Sequence, residues 1–372
     1  MNKDSWKWKT LGSISDIHDY KRKPITKKDR KIGIYPYYGA TGIQDYIDNY
    51  IFDGSFVLVG EDGAKWGSNE NTAFLINGKF WVNNHAHVLQ MHNDIFPKWV
   101  VYYLNHKDLN EFITGAVVPK LNQAALRSIP IPVPFISIQK QIVKELDTLS
   151  DIITKKKEQL AELDKLAQAT FYDMFGDPIK NEKNWEIKEL KYFGNVLTGN
   201  TPSRKKIEYY SEPYIEWIKT DNITESLIIS QAKEYLSKEG YKISKSVNKG
   251  AILVTCIAGS LKSIGRAALT DREVCFNQQI NAIQPSSLVN SIFLYWLIKT
   301  TKSYIEEKTP GVLKFILSKS KFENLIFIFP PISAQTQFAE KIEAIEQQKA
   351  LINQSITDTQ LLFDYTMDKY FN

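Results

Sequence analysis

The chain has 372 residues, of which 43% are hydrophobic and 12% aromatic, so it can bury more than one core and lacks the composition of a disordered protein. Its 47 basic and 42 acidic side chains give a net charge of +5, which favours an anionic partner only mildly. Two cysteines exclude a Cys-rich zinc cluster, and with no signal sequence and no apolar run long enough to span a bilayer we expect a cytoplasmic protein.

The apolar pattern that opens the chain at Trp6 returns at Trp185, at an offset of 185 − 6 = 179 residues. The run Gly54–Val59 matches Gly250–Thr255 at an offset of 250 − 54 = 196, so the second copy carries 196 − 179 = 17 additional residues before this strand. Each copy has the size of a domain with one long helix, so we predict a pseudo-symmetric chain. The offset of 196 then holds for Gly115 and Gly311, Pro134 and Pro330, Ser137 and Ser333, Gln139 and Gln335, Gln141 and Gln337, and Phe175 and Phe371.

Each copy begins with short runs of aromatic and β-branched residues, such as Ser55–Val59 and Asn324–Phe329, separated by Gly, Asn and Asp clusters. This pattern predicts mixed strands joined by turns. Lys98–Leu104 and Ser291–Leu297 carry apolar residues on more than one helical face, which predicts a buried helix in each copy. Prolines then end each globular part, because a residue without a backbone donor suits a strand that leaves a sheet.

After the prolines, each copy changes to a heptad pattern, which predicts a helix of about 38 residues, or roughly 57 Å. Ser137 and Ser333 are placed to cap these helices, and Lys156 interrupts the apolar stripe of the first one. Because such a stripe cannot be buried by one helix alone, we predict that the two helices pair as an antiparallel coiled coil. The predicted seam consists of Leu146, Leu149, Ile153, Leu160, Leu163, Ile342, Ile345, Ile352, Ile356 and Phe363.

The predicted fold class is α+β, with two pseudo-repeated, mixed α/β domains separated by two long antiparallel helices that form a coiled coil. The predicted boundaries are residues 1–136 for the first domain, 137–176 for the first helix, 177–331 for the second domain and 332–372 for the second helix. Two similar modules related by a pseudo-twofold axis match the symmetry of duplex DNA, in which dimeric readers bind two half-sites. Because the two copies differ in sequence, we expect an asymmetric target with an internal spacer.

Clusters of Lys, Arg, Asn and Gln at loop-like positions support this interpretation, since Arg and Lys suit guanine, Asn and Gln suit adenine, and all of them bind phosphates. The candidate DNA-binding residues of the first copy are Lys21, Arg22, Lys65, Trp66, Asn84, His85, Lys120, Asn122 and Gln123. Those of the second copy are Arg204, Lys205, Lys219, Asp221, Asn222, Lys262, Arg266, Gln278, Gln279 and Lys314.

Several motifs follow one another in an order typical of a known family. The second copy contains Leu197–Ser203, Trp217–Ile223, Gly259–Gly265 and Asn277–Asn281, both copies contain a Pro-x-x-Ser-x-Gln-x-Gln helix entry, and Met174–Pro178 joins the halves. In order, duplication and spacing, these motifs resemble the DNA specificity subunit of type I restriction-modification systems. The first copy departs from the pattern, because Asp19–Pro24 stands where the second has a Thr-Pro-Ser segment.

The resemblance implies a protein without catalytic activity of its own, whose two target-recognition domains each read one part of a split double-stranded DNA sequence. It also implies that the helices set the spacer and bind two methyltransferase (modification) subunits, and that restriction subunits join this core. The partner subunits would use S-adenosylmethionine to methylate adenine and ATP with Mg²⁺ for DNA cleavage. No catalytic residue, metal or cofactor is therefore expected in this chain.

A stand-alone DNA methyltransferase or nuclease is the main alternative from the sequence. Val59–Gly63 suggests a methyl-donor loop, but no Asn-Pro-Pro-Tyr-like segment accompanies it. Glu186–Lys188 and Glu189–Lys191 have the spacing of a nuclease triplet without a preceding Pro-Asp, and the chain contains no Gly-x-x-x-x-Gly-Lys-Ser/Thr phosphate loop. These absences favour a protein that binds DNA without modifying it.

His85 and His87 point to the same side of a predicted strand and suggest a shared metal. The second copy has Gln279 and Asn281 at these positions, which favours polar recognition or a structural role over a metal site. A coiled-coil scaffold with two peptide-binding domains is the remaining alternative. The basic and amide clusters in both copies argue against it.

Overall fold

The computed structural model describes Lys3 and residues 6–372, and its internal contacts divide the chain into two compact units. The first unit contains the residues up to Lys157 together with Gln354–Asn372, and the second contains Glu158–Asn353. Each unit therefore holds one globular domain and a part of both long helices. The boundaries drawn from the sequence at residues 136, 176 and 331 separate helices from domains instead, and they stay a prediction.

The first unit is built around a mixed sheet. Its strands are β1 (Lys7–Thr10), β2 (Ser15–Ile17), β3 (Ile32–Gly39), β4 (Gly42–Ile47), β5 (Phe52–Gly60), β6 (Ala73–Val82), β7 (Ala86–Met91) and β8 (Pro130–Val133). Its helices are α1 (Leu11–Ile14), α2 (Pro97–His106), α3 (Gln123–Ser128) and the first part of α4 (Ile136–Phe175). The sheet has the order β2-β7-β5-β6-β3-β4, with β3 and β6 parallel and the other neighbours antiparallel, while β1 pairs with β8.

The apolar run in β5 explains why this strand lies in the middle of the sheet. Val57 and Val59 are buried in the cluster that includes Trp99 of α2, whereas Leu58 is buried on the other face with Phe80. A strand with a core on both faces requires a continuous hydrophobic run rather than an alternating one.

The second unit repeats this arrangement. Its strands are β9 (Ile187–Glu189), β10 (Gly194–Thr198), β11 (Ile215–Ile218), β12 (Tyr235–Leu236), β13 (Ser246–Val247), β14 (Ile252–Thr255), β15 (Ile257–Ala258), β16 (Ala267–Leu269), β17 (Val274–Phe276), β18 (Ile280–Pro285), β19 (Phe315–Ile316) and β20 (Ile326–Ile328). Its helices are α5 (Lys238–Lys242), α6 (Ser291–Thr300), α7 (Lys302–Glu307), α8 (Lys319–Glu323) and the first part of α9 (Ile332–Phe371). The order β10-β18-β14-β16 matches β2-β7-β5-β6, and β17-β11-β12 matches β6-β3-β4.

The chief difference between the two sheets is that β6 of the first unit corresponds to two separate strands, β16 and β17, in the second. The buried helices predicted in each copy are confirmed as α2 and α6. Cys256 and Cys275 are buried in the second unit, and this burial raises the pKa of each thiol to about 12, so both are protonated at neutral pH.

The long helices α4 and α9 have 40 residues each and pack antiparallel within each unit. In the first unit, Tyr370 Oη donates to the Glu145 carboxylate at 3.1 Å, and Lys156 donates to Ser355. In the second unit, Lys349 forms an ion pair with Asp164 at 2.8 Å. The predicted α+β class with an antiparallel helix pair is thus confirmed. Among the described residues, none of the helices combines the length and hydrophobicity that crossing a membrane would require.

The predicted seam positions lie on the packed side of these helices. Leu146, Ile153, Ile342 and Ile345 are buried, and the other predicted seam residues are partly buried: Leu149, Leu160, Leu163, Ile352, Ile356 and Phe363. Lys155 and Lys157 are exposed, whereas Lys156 is partly buried against Ser355. The lysine in the seam therefore makes a polar contact with the facing helix.

The start of each long helix is fixed by a buried glutamine rather than by the predicted serine caps. The helices begin at Ile136 and Ile332, so Ser137 and Ser333 lie inside the first turn and do not occupy the capping positions. Gln139 is fully buried; its Oε1 accepts from the Phe96 amide at 2.8 Å, and its Nε2 donates to the carbonyl oxygens of Pro134 and Asp94.

Gln335 makes the matching set of contacts in the second unit. Its Oε1 accepts from the Asn290 amide at 2.9 Å, and its Nε2 donates to the carbonyl oxygens of Pro330 and Leu288. Phe96 and Asn290 are the residues that precede α2 and α6, so each glutamine joins the long helix to the buried helix of its own unit.

We expect Gln139→Leu to lower the free energy of unfolding of the first unit by about 1–3 kcal/mol, because the substitution leaves buried backbone groups without partners. Gln335→Leu should produce the matched loss in the second unit. Urea unfolding, with hydrogen exchange to assign the loss to a unit, measures both effects. A cost below about 0.5 kcal/mol would mean that water replaces the amide and that the hydrogen bonds do not hold the helix start.

Aromatic side chains near the ends of both long helices complete the domain cores. Phe371 is 3% exposed, and its ring centroid lies 4.6 Å from that of Trp99 and 5.7 Å from that of Tyr103. Phe175, which is 196 residues earlier (371 − 196 = 175), packs in the second unit at 4.9 Å from Phe293. Each domain core therefore uses the last turn of the long helix that follows the other domain in the sequence.

Candidate nucleic-acid interface

Most candidate residues of the first unit lie on loops at one edge of its sheet. In the antiparallel pairs, Ile17 at the end of β2 lies opposite Leu89, and Gly60 at the end of β5 lies opposite Ala86 at the start of β7. The loops that follow β2 and β5 and the turn that precedes β7 therefore leave the sheet on the same side.

The second unit has the same construction. Thr198 at the end of β10 lies opposite Asn281, and Thr255 at the end of β14 lies opposite Ile280 at the start of β18. The segments 199–206, 256–266 and 277–279 therefore share one edge. We call this the recognition edge in each unit.

A buried asparagine fixes the turn at the centre of each recognition edge. Asn83 and Asn277 are 3% and 6% exposed. Their side-chain Oδ1 atoms accept from the backbone amides of His85 and Gln279 at 2.8 and 3.1 Å. The backbone N–H of each asparagine donates across the sheet at 3.0 Å. The two turns project Asn84 and His85 in the first unit, and Gln278 and Gln279 in the second. Sequence reasoning did not select Asn83, although an asparagine at the same place in both copies was the available signal.

Glu61, which follows β5, is the centre of a buried ion cluster in the first unit. Its side chain is 8% exposed and forms ion pairs with Arg22 and, at 2.7 Å, with Lys120. Arg22 also donates to the Ala86 carbonyl oxygen at 2.9 Å. Burial alone would raise the pKa of Glu61, but the hydrogen bonds from Lys120 and Arg22 outweigh it and lower the pKa below its ordinary value. The cluster ties together three loops of the recognition edge.

His87 extends this cluster into the core. It is fully buried, with Nδ1 at 2.6 Å from the Asp19 carboxylate and Nε2 at 2.7 Å from the Leu121 carbonyl oxygen. Both ring nitrogens therefore face oxygen atoms that can only accept a hydrogen bond. Gln123 Nε2 also donates to Asp19 at 2.9 Å. Burial would raise the pKa of Asp19, but these hydrogen bonds and the one from the Val88 amide lower it overall.

The candidate ligand atoms of Asp19, Glu61 and His87 lie within 4.8 Å of one another, which is the spacing of a metal site. The ligand atoms of these three residues already have protein partners, and Arg22 and Lys120 supply the opposing charge. The geometry therefore fits an internal salt-bridge network. At the equivalent strand positions of the second unit, Thr198 Oγ1 and Asn281 Oδ1 form a neutral hydrogen bond of 2.6 Å.

Acid should loosen the first unit through this cluster. The pKa values of Asp19 and Glu61 are lower in the folded state than in the unfolded chain, so their stabilisation is complete above about pH 4.5 and is lost as the pH falls through the lower folded values. Urea unfolding of the first unit at about pH 7 and about pH 3 measures the loss. In Glu61→Gln the difference between these two conditions should shrink; an unchanged difference would exclude the cluster as its source.

The structure separates the candidates of the first unit into exposed and internal groups. Lys21, Lys65, Asn84, His85 and Gln123 are exposed, Lys120 and Asn122 are partly buried, and Asn122 Oδ1 caps α3 by accepting from the Ala125 amide at 2.9 Å. As direct DNA contacts, Trp66 and Arg22 stay predictions, and the structure places both side chains inside the unit. Trp66 is 8% exposed in the core and donates to the Gly60 carbonyl oxygen. Arg22 forms an ion pair with Glu61 inside the cluster.

Arg204 in the second unit is held against two aromatic rings. Its guanidinium carbon lies 4.4 Å from the Tyr210 centroid and 5.2 Å from the Trp217 centroid, and the group forms an ion pair with Glu234. Hydrogen bonds from Lys219 and Arg204 lower the pKa of Glu234. The Arg204 side chain nevertheless stays 54% exposed. A guanidinium fixed by stacking and still open to solvent can bind a guanine edge or a phosphate with little loss of freedom.

The remaining candidates of the second unit are mostly at its surface. Asn222 is the exception: it is 4% exposed, its Oδ1 accepts from the Lys219 amide and its Nδ2 donates to the Gln231 carbonyl oxygen. Its role as a DNA contact stays a prediction, and these internal hydrogen bonds favour a structural role. Lys205, Asp221, Lys262, Arg266, Gln278 and Lys314 are exposed, and Lys219 and Gln279 are partly buried.

Comparison with known proteins agrees with this duplicated architecture. A family described as type I restriction modification DNA specificity domain matches residues 3–165 and again residues 182–359, one match for each copy of the repeat. A Haemophilus influenzae protein named as a type I restriction enzyme specificity subunit is 28% identical over 384 aligned residues, which cover 98% of this chain and 95% of the relative.

Two solved structures share the fold over nearly the whole chain. The S subunit of a type I restriction-modification system from M. genitalium has a TM-score of 0.63 at 14% identity, covering 99% of this chain and 96% of that one. A chain from a study of complex assembly and conformational transition of the type I system has a TM-score of 0.60 at 12% identity, covering 99% and 97%. With the family match extending over both copies, the chain belongs to the DNA specificity subunits of type I restriction-modification systems.

Proposed function

We propose that this chain reads a bipartite double-stranded DNA sequence for a type I restriction-modification complex, with one target-recognition domain on each half-site. The observation that carries the proposal is the recognition edge, which has the same strand ends and the same asparagine turn in both units. The side chains on this common frame differ: an ion cluster lies in the first unit and a stacked arginine in the second. A shared backbone arrangement that carries different side chains in the two units suits a split DNA target whose two half-sites differ.

The long helices would set the spacer between the half-sites. Each helix is continuous for 40 residues and makes antiparallel contacts in both units, which favours a stiff element over a flexible linker. The chain itself would carry out no chemistry. S-adenosylmethionine, ATP and Mg²⁺ would be used by the modification and restriction subunits, as the family assignment suggests.

Exposed leucines on the long helices would bind two modification subunits. Leu166 and Leu362 are 196 residues apart (362 − 196 = 166) and are 51% and 52% exposed. Leu361 and Tyr365, which are 64% and 65% exposed, lie beside Leu362. Single exposed leucines are common, but a pair at equivalent positions of a repeat offers two similar sites, which suits two copies of one partner.

We expect Leu166→Ser and Leu362→Ser each to remove one modification subunit from the assembled complex, and the double variant to remove both. Native mass spectrometry of the co-purified complex gives the stoichiometry. Leu351→Ser is the matched control, because Leu351 is 73% exposed but its equivalent in the repeat is Lys155. An undiminished two-to-one complex in the double variant would place the docking surface elsewhere.

The function is tested by mapping methylated adenines in the source organism with and without this gene. The proposal predicts that one split, asymmetric motif loses methylation on deletion and regains it on complementation. Arg204→Ala should relax the motif in one half-site alone, with a loss of discrimination of about 1–3 kcal/mol. An unchanged methylation map would reject the proposal. Methyl transfer by the purified chain alone would favour the stand-alone methyltransferase.

A further inference from the structure

Each unit has an exposed aliphatic pair to which the proposed function assigns no role. Val117 and Val118 are 94% and 65% exposed in the first unit, and Val312 and Leu313 are 88% and 90% exposed in the second. We call residues 115–118 and 311–314 the aliphatic tips. In both copies the exposed aliphatic pair begins one or two residues after the equivalent glycine, although the surrounding sequences differ.

Both tips have a defined backbone. Gly115 has φ +91°, and a Cβ at this position would lie 2.4 Å from the Val118 carbonyl oxygen. Gly311 has φ +156°, and a Cβ there would lie 2.3 Å from the Lys314 carbonyl oxygen. Glycine is therefore required at each position. The exposed pairs are products of a tight turn, because the chain folds back on itself at these glycines.

Backbone pairing anchors each tip to the recognition edge. In the first unit, Thr114 and Lys120 exchange backbone hydrogen bonds of 2.9 and 2.8 Å, and the Leu121 amide donates to the Glu61 carbonyl oxygen at 2.8 Å. In the second unit, β19 pairs with β15, and the Leu317 amide donates to the Cys256 carbonyl oxygen at 2.8 Å. Each tip therefore stands beside the loop that follows β5 or β14.

Lysines next to the tips favour DNA as the occupant. Lys120 adjoins the first tip, and its side chain is 43% exposed despite the pairing with Glu61. Lys314 ends the second tip, and exposed Lys262 lies in the loop after β15. Exposed lysines around a small aliphatic surface suit duplex DNA, whose grooves contain apolar groups. The lysines can bind phosphates while the aliphatic pair reaches the bases.

The apolar group that duplex DNA offers without distortion is the thymine 5-methyl group in the major groove. Insertion of an aliphatic wedge between base pairs would instead require unstacking of a base step. We infer that each aliphatic tip enters the major groove of its own half-site and packs against a thymine methyl group, so that the tip adds a preference for thymine to the polar contacts of the recognition edge. This inference rests on the proposed function.

The test uses the assembled complex and its mapped target, with each thymine of a half-site replaced in turn by deoxyuridine, which lacks only the methyl group. We expect one or two replacements per half-site to weaken binding about three- to five-fold, the effect of one buried methyl group. The double variant Val117→Ser, Val118→Ser should lose this sensitivity in one half-site and keep it in the other. Val312→Ser, Leu313→Ser should show the converse, so each tip is the control for the other.

Ile32→Ser controls for the loss of an exposed aliphatic side chain away from the tips, since Ile32 is 94% exposed on β3. It should leave the deoxyuridine sensitivity unchanged. Equal binding of the wild-type complex to thymine and deoxyuridine targets would overturn the inference while leaving the proposed function intact. Loss of modification subunits from tip variants without DNA would overturn it in favour of a protein contact. Increased 2-aminopurine fluorescence beside the tip would overturn it in favour of a wedge. Absence of any sequence-specific binding would reject the proposed function itself.

Discussion

Replacing Phe371 with alanine should destabilise the first unit by about 3–5 kcal/mol, the usual cost of removing a fully packed aromatic ring. The ring fills a space between Trp99 and Tyr103 of α2, and its neighbour Tyr370 donates to Glu145. The core of the first domain thus depends on a side chain almost at the end of the sequence. The loss should appear in the first unit and leave the second near its wild-type stability.

Phe175→Ala is the matched variant, because Phe175 packs on Phe293 and Phe338 in the second unit. Urea unfolding combined with hydrogen exchange assigns each loss to a unit. The expected result is a crossed pattern, in which each variant loosens one unit. If Phe371→Ala loosened both units equally, or left the first one intact, the helix ends would not be independent parts of the two cores.

The second large effect is expected from lengthening the long helices. Insertion of one heptad after Lys157 and another after Asn353 keeps the seam in phase and preserves the equivalence of the two copies, since 353 − 157 = 196. Seven residues add about 10.5 Å of helix, which corresponds to about three base pairs. If the helices are a ruler, the preferred spacer should grow by about three base pairs while both half-sites stay unchanged.

Binding to the original target should weaken by about 1,000-fold or more, because the lengthened protein can no longer contact both half-sites at once. Its affinity should then approach that of non-specific DNA binding. Selection from a library of targets with varied spacers measures the new preference. Two-residue insertions at the same places serve as the control, since two residues turn a helix by about 200°, which moves the apolar stripes to the opposite face and should weaken folding itself. Retention of the original spacer by the heptad variant would refute the ruler.

Periodic features were predictable from the sequence because they depend on local spacing. The seam is the clearest case: Leu146 and Ile342 are fully buried, and the predicted positions follow the packed face of each helix. The duplication likewise showed that both domains would share one fold. Serine at the helix entry was misleading, because its capping preference is local, whereas the structure uses Gln139, whose partners Asp94 and Phe96 are distant in sequence.

The site was less predictable because its contacts join distant residues. Trp66 and Asn222 occur in polar segments that suggest a surface position. In the structure both are buried, and their side chains donate to the carbonyl oxygens of Gly60 and Gln231, respectively. The cluster of Asp19, Glu61 and His87 joins residues 68 positions apart in one of its pairs, which no motif records. The aliphatic tips could not be predicted because Val117 and Val118 have the side chains of core residues. Only the turn at Gly115 shows that they are exposed.

The packing of Trp99 brings together an aromatic residue that opens the first copy, Trp6, and one from the last turn of the second copy, Phe371. In the first unit, Trp6 and Phe371 lie 5.6 and 4.6 Å from the Trp99 ring, so both meet on one side chain. In the second unit, Phe175 and Trp185 pack 6.2 Å apart across the segment that begins at Gly176. A circular permutant, closed by a short linker from Phe371 to Trp6 and opened between Gly176 and Trp185, should therefore keep both cores intact.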